Sequence, residues 1–137
     1  LDLGGIAKGY ANDEALKVFS QYSVASAMVE AGGDISVSGA PPETQGWVIK
    51  VRGQTDPIYL SHASVSTSGD AEQFVEIDGA RYSHVVDPRT GIGVTNRVQA
   101  TVVAPDGLTT DPWATALCVD PNLEPVGSFS SWTRVQT

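Results

Sequence analysis

The chain has 137 residues, enough for one domain with a sizeable core. Its 16 Asp and Glu against 8 Lys and Arg leave a formal net charge of −8, which argues against non-specific binding to nucleic acid or anionic membrane. The single cysteine, Cys118, excludes an internal disulfide and a cysteine-built zinc cluster, and no apolar run is long enough to cross a bilayer.

The chain opens on Leu1-Asp2-Leu3 without an initiator Met, which reads as a processed or truncated start. From Ile6 to about Tyr22 the pattern is helical, with Ile6, Tyr10, Ala11, Leu16 and Phe19 forming one apolar face. Val24–Glu30 and Asp34–Ser38 read as strands either side of a Gly32-Gly33 turn. A Pro-rich loop follows, then the alternating run Trp47–Arg52, short Ile58–Ser61, and small, polar Ala63–Ser68, a strand running into a loop. Phe74–Ile77 and Tyr82–Val86 flank Asp78-Gly79, a strong hairpin signal. Val98–Ala104 is β-branched and reads as a central strand, and Asp111–Val119 as a second helix. Ser128–Ser131 is loop-like, and Trp132–Thr137 is a candidate last strand. Without repeats or an interdomain linker, this predicts one α+β unit over 1–137: a mostly antiparallel sheet carrying at least two helices.

Three segments carry residues suited to chemistry. In Asp2-Leu3-Gly4-Gly5-Ile6-Ala7-Lys8, glycines at a helix entrance admit a ligand close to the backbone, and free N–H groups with a nearby lysine suit phosphate. An ordinary strand-to-helix turn with a surface lysine explains the same residues. In Thr109–Thr115, Asp111 fits an N-cap and Pro112 a first helical residue. Thr115, four positions on, places a second hard oxygen on the same side of the turn, as a magnesium ion would want. In Tyr82–Gly91, His84 is a candidate general base and Arg89 a candidate partner for phosphate or carboxylate. A strand-edge histidine and a turn-stabilising arginine account for that pair more simply. His62 has no comparable setting.

Taken in order, these segments resemble the ApbE family of flavin transferases. The resemblance rests on Asp2–Ala11, Gly32-Gly33-Asp34, Thr67–Asp70, Tyr82–Gly91, Val102–Pro105 and Asp111–Leu117, in register over nearly all of residues 2 to 119. It implies an ApbE-like, T-fold-like α+β architecture and a magnesium-dependent FAD:protein FMN transferase. By position, the Gly5 carbonyl, Asp111 and Thr115 would hold Mg²⁺ against the FAD pyrophosphate. Asp2, Lys8 and Val86 would line the flavin nucleotide, and His84 would deprotonate a Thr or Ser hydroxyl of the acceptor protein. FMN would pass to that oxygen and AMP would leave. With water as nucleophile, the same site would be an FAD pyrophosphatase.

The chain departs from the family pattern in places. The family's long N-terminal half is absent, so these residues match its C-terminal portion, with another chain or the missing half completing the fold. Pro112-Trp113 replaces small residues, and the tail after Asp120 does not follow the family's usual final helix and strand. A non-catalytic flavin-binding module or an incomplete fragment is the competing expectation. The family is mostly exported, often as a lipoprotein, which implies the bacterial periplasm or cell surface. The implied partners are FAD and the acceptor protein of a flavin-dependent redox system, not nucleic acid.

Overall fold

The computed structural model describes residues 2–70, 73–127 and 129–136. In chain order its elements are α1 (Ala7–Gln21), β1 (Met28–Ala31), β2 (Asp34–Val37), β3 (Trp47–Ile49), β4 (Ile58–Leu60), β5 (Ala63–Ser68), β6 (Phe74–Ile77), β7 (Ala80–Ser83), β8 (Val86–Asp87), β9 (Ile92–Gly93), β10 (Val98–Ala104), α2 (Gly107–Val119) and β11 (Ser131–Gln136). Strands β1-β2-β5-β10-β11 form one sheet in that order, antiparallel throughout, and β3-β4, β6-β7 and β8-β9 are separate hairpins. The α+β class and the antiparallel sheet agree with the sequence expectation. Two hairpins turn on residue pairs with positive φ, Gly32-Gly33 at 55° and 90° and Asp78-Gly79 at 50° and 77°, the backbone a two-residue primed turn demands.

The alternation of each strand sorts the sheet into two unlike faces. One carries Val37, Val65 and Val103 under the β3-β4 hairpin, whose Ile49 and Leu60 complete a dry cluster with Val51. The other faces the helices. There β10 offers Ala100 and Val102 to Ala114, Leu117 and Cys118 of α2. Leu117 is wholly buried, a contribution of about 2 kcal/mol from apolar area removed from water. On the same face β2 and β5 present Asp34, Ser36, Ser64 and Ser66, all buried. Their hydroxyls are satisfied across elements: Ser64 Oγ donates to Ser36 Oγ at 2.7 Å, and Ser66 Oγ shares a hydrogen bond with Thr110 Oγ1 at 2.8 Å.

That polar face corrects the expected apolar stripe of α1. Tyr10 and Phe19 are 54% and 40% exposed, and the helix buries Gly9 and Asn12 instead. Asn12 fits because its Nδ2 donates to the Asp34 carbonyl at 2.8 Å. Hydrophobic periodicity misassigned this face because the surface it meets is hydroxyl and amide, not hydrocarbon.

Helix α2 also begins earlier than expected. Its N-cap is Asp106, whose side chain accepts from Thr109 N at 2.8 Å, so Asp111 is an interior residue and not a cap. Two further N–H groups of the first turn, at Gly107 and Leu108, donate to the Asp13 carboxylate of α1, each at 2.8 Å. Pro112 therefore lies within the helix, where it leaves the Leu108 carbonyl without its usual donor.

Elsewhere strands are shorter or shifted. Val24–Ala27 is irregular and β1 starts at Met28; the run expected over Tyr82–Val86 splits into β7 and β8. The Asp-Pro and Thr-Gly turn pairs lie inside the small β8-β9 hairpin. The last strand pairs with β10 from Ser131 to Gln136. Ser128 of the expected loop and Thr137 of the expected strand lie outside the described residues. The Cys118 thiol is buried, which pushes its pKa up to about 11 and fits an inert packing role. No helix among the described residues is long and apolar enough to cross a membrane.

The α1–α2 crossing has no room for a side chain. A Cβ on Gly9 would overlap the Gly107 carbonyl and lie 2.9 Å from Asp111 Cβ, and one on Gly107 would lie 2.6 Å from the Gly9 oxygen. Gly9→Ala is therefore expected to lower stability by about 3 kcal/mol or more, read as a shift in the denaturant midpoint. A midpoint within error of wild type would disprove so tight a crossing.

Candidate functional site

The crossing brings the first motif against the last. Gly9 N donates to Asp111 Oδ2 at 3.0 Å within the buried interface. This bond fixes the Asp111 carboxylate, which is 1% exposed. One turn on, Thr115 lies against Gly5: a Cβ added there would stand 3.2 Å from Thr115 Cγ2 and 3.3 Å from its Oγ1. Thr115 Oγ1 also shares a 3.2 Å hydrogen bond with Ser68 Oγ at the end of β5. Gly5, Asp111 and Thr115 are thus neighbours although more than a hundred positions separate the first from the other two.

Lys8 extends from the first turn of α1, its ammonium 2.6 Å from Asp34 Oδ2. The lysine side chain is 39% exposed and the aspartate 2%. Burial holds the Asp34 carboxyl above the ordinary carboxylate range, against the opposing pull of Lys8. Asp2 is exposed, and its Oδ1 accepts from Gly4 N at 2.8 Å, shaping the turn before α1. That turn also uses the N–H groups of Ile6 and Ala7, both donating to the Leu3 carbonyl. The helix start therefore offers fewer free donors for phosphate than its sequence suggests.

His84 follows β7 and is exposed, with Nδ1 3.1 Å from the Gln73 carbonyl oxygen. A carbonyl can only accept, so this contact selects the tautomer protonated at Nδ1 and leaves the Nε2 lone pair available. Arg89, by contrast, is engaged: its Nε and Nη2 grip the Asp87 carboxylate at 2.8 to 3.1 Å. That fork raises the arginine pKa and lowers the aspartate's, so the turn-stabilising reading holds for Arg89.

Asp2, Gly5, Lys8, His84, Val86, Asp111 and Thr115 all line one cavity of about 770 Å³. A second cavity of about 620 Å³ adjoins it and shares Gly4, Lys8, Ser68 and His84. Lys50, Arg52, Gln73 and Gln99 line the second cavity. None of these four stands in a motif that marks a role, and local sequence does not pair Asp34 with Lys8. The alternation of Trp47–Arg52 was the available signal for Lys50 and Arg52, since it sets them opposite buried Ile49 and Val51.

The donor set fits a hard cation. It is all oxygen, from one carboxylate, one hydroxyl and one backbone carbonyl, and leaves coordination positions for water and phosphate as magnesium requires. No group of three or more His, Cys, Asp or Glu that could hold a metal occurs among the described residues.

A sequence model of the ApbE family matches residues 1–125. The chain is 35% identical over 127 residues to the FAD:protein FMN transferase of Salmonella typhimurium strain LT2, an alignment covering 87% of this chain and 36% of that protein. Its identity to the FAD:protein FMN transferase of Escherichia coli K12 is 33%, with the same 87% and 36% coverage. Among solved structures, the ApbE protein of Thermotoga maritima matches with a TM-score of 0.78 at 42% identity, over 87% of this chain and 40% of that one. The flavinyl transferase ApbE of Pseudomonas stutzeri matches at 0.75 and 34% identity, over 87% and 39%. The chain thus spans 36% to 40% of the length of these relatives.

The raised pKa of Asp34 has a consequence for stability. The folded state holds its proton more tightly than the unfolded chain, so stability falls as pH rises from about 4, the unfolded value, through the folded pKa. Asp34→Asn removes that loss. Its thermal midpoint relative to wild type is expected to rise across this window, measured by thermal melts at a series of pH values. A variant that instead grew relatively less stable with rising pH would show that the ion pair with Lys8 outweighs burial.

Proposed function

The chain belongs to the ApbE family, and on that premise we propose that it carries the metal-binding and base-bearing part of an FAD:protein FMN transferase site. The observation that carries this reading is the convergence of seven residues from distant motifs on one cavity. The Gly5 carbonyl, Asp111 and Thr115 would hold Mg²⁺, which when bound supplies charge neutralisation at the FAD pyrophosphate. Lys8 adds a cation on the same wall, aimed by Asp34. Asp2 and Val86 lie along the flavin nucleotide.

His84 Nε2 accepts the proton of a Thr or Ser hydroxyl on the acceptor protein. That oxygen bonds to the FMN-side phosphorus, the bond from phosphorus to the bridging oxygen breaks, and AMP leaves with the bridging oxygen. The product is FMN joined to the acceptor through a phosphoester. His84 is exposed, so water reaches the same nitrogen, and FAD hydrolysis is the accompanying second reading. The acceptor is a protein of a flavin-dependent redox system on the exported, periplasmic or cell-surface side of a bacterium. Fractionation of the producing cells tests that location.

Calorimetric titration of FAD with and without magnesium tests the metal assignment. Asp111→Asn keeps an acceptor for Gly9 N and removes the charge. It is expected to abolish the magnesium-dependent gain in affinity, a loss of about tenfold or more, as for a lost charged contact. His84→Ala is expected to keep FAD affinity and to slow transfer about 10²- to 10⁴-fold, followed as flavin fluorescence retained on denatured acceptor. Binding indifferent to both magnesium and Asp111, or undiminished transfer by His84→Ala, would defeat the respective role.

A further inference from the structure

We infer that Asp70, clamped between Arg81 and Arg97, is a positioning residue for His84; the inference rests on the proposed role of that histidine as base. Asp70 follows β5 and its side chain is only 7% exposed. Its Oδ2 lies 3.0 Å from Arg81 Nε on β7 and 2.9 Å from Arg97 Nε just before β10. Arg81 Nη2 also donates to the Asp70 backbone carbonyl. One buried carboxylate therefore ties together the end of β5, the middle of β7 and the approach to β10. Its burial requires such partners, since an unpaired charge there would cost several kcal/mol.

The clamp stands one step from the histidine on both of its strands. Asp70 precedes Gln73 by three positions, and Arg81 precedes His84 by three. Gln73 and His84 are the next facing pair beyond the β6-β7 register, in which Phe74 opposes Ser83. The Gln73 carbonyl accepts from the backbone N of His84 and lies against its ring Nδ1, each at 3.1 Å. The Arg81 guanidinium stacks on the Phe74 ring, 3.3 Å from its centroid, and so braces the residue that follows Gln73.

Beyond this clamp, β6 has little to hold it. All its residues are exposed, and its sheet has only two strands. A two-stranded hairpin is marginal by itself in water. The ionic tie from Arg81 and Arg97 to Asp70 reinforces the backbone bond that holds the Gln73 carbonyl against His84 at the open end of the hairpin. The carbonyl in turn keeps the proton on Nδ1 and the lone pair on Nε2. Loss of the tie would let the open end of the hairpin fray, part Gln73 from His84, free Nδ1 and populate the other tautomer.

Nitrogen-15 NMR of the imidazole rings tests this directly. The sequence has only two histidines, and His62→Gln assigns the remaining signals to His84. The wild-type protein is expected to show His84 protonated at Nδ1. Folded Asp70→Asn is expected to show both tautomers and a kcat for FMN transfer about tenfold lower, with KM for FAD within about twofold. The split reflects a base misplaced part of the time while the nucleotide contacts persist. Arg81→Lys keeps a cation but not the fork, and is expected to shift the tautomer ratio in the same direction. If Asp70→Asn does not fold, the Arg81→Lys spectrum decides. An unchanged tautomer in the folded variant overturns the clamp. A changed tautomer with full transfer activity upholds the clamp and overturns the role of His84 as base.

Discussion

The contact between Gly9 and Gly107 is the constraint from which the rest of the site follows. Two helices meet there backbone to backbone, with no side chain between them. The closeness lets Gly9 N reach the Asp111 carboxylate and lets Asp13 bind the first N–H groups of α2. Each helix thus supplies what the other lacks. Helix α2 is capped in part by a carboxylate from α1, and the interior aspartate of α2 is oriented by an N–H of α1. The bond to Gly9 N aims Asp111 without occupying the whole carboxylate, since a carboxylate has more than one acceptor site per oxygen.

The helix-facing side of the sheet shows how a fold of this size accommodates such a site. Next to β10 that side is hydrocarbon, packed with Leu117 and Cys118. Along β2 and β5 it is aspartate and serine, buried as completely as the core. Polar groups at that depth contribute little net stability even when satisfied, and cost much when they are not. The Ser36–Ser64 and Ser66–Thr110 bonds keep them satisfied, and the Val37, Val65 and Val103 cluster on the opposite face supplies the apolar burial they forgo. One sheet therefore carries an apolar cluster on one face, part of which also borders the second cavity, and a satisfied polar surface on the other along β2 and β5.

How much of this was legible in the sequence varies by the kind of signal. Val98–Ala104 was plain because an unbroken β-branched run has one good use in a small domain, a buried strand. Asp78-Gly79 was plain because its backbone demand is local. The outer face of α1 was not legible. Periodicity assumes that apolar residues point inward, and here Gly9 does so against α2 and Asn12 against a polar strand. The start of α2 was missed because Asp111-Pro112 reads as a cap and first helical residue, while the bond from Thr109 N that makes Asp106 the cap shows only in the structure. Lys8, His84, Asp111 and Thr115 were candidates on their own chemistry, and Asp2, Gly5 and Val86 received roles only through a family resemblance. Spacing alone placed Asp111 beside Thr115, one helical turn apart, but had no means of bringing Gly5 to them. The clamp at Asp70 was invisible for the same reason: its arginines come from β7 and from the approach to β10, and pairing across strands leaves no mark on local sequence.

The buried carboxylates around the cavity differ in what satisfies them, and that difference sorts their roles. Asp111 is held by a backbone N–H, which orients it but carries no full charge, so its negative charge stays available to a cation. Asp34 is held by the Lys8 ammonium, so its charge is answered within the protein, and it acts by aiming the lysine along the cavity wall. Asp70 is answered twice over, by Arg81 and Arg97, and is left with no charge to offer a ligand. A backbone donor, a single lysine and a double arginine clamp thus place three aspartates in three different electrostatic settings. The carboxyl with the least ionic compensation is the one beside Thr115 and Gly5, at the proposed metal site. With an overall charge of −8, the anionic substrate proposed for this site would need a local positive field or a bound cation to approach it.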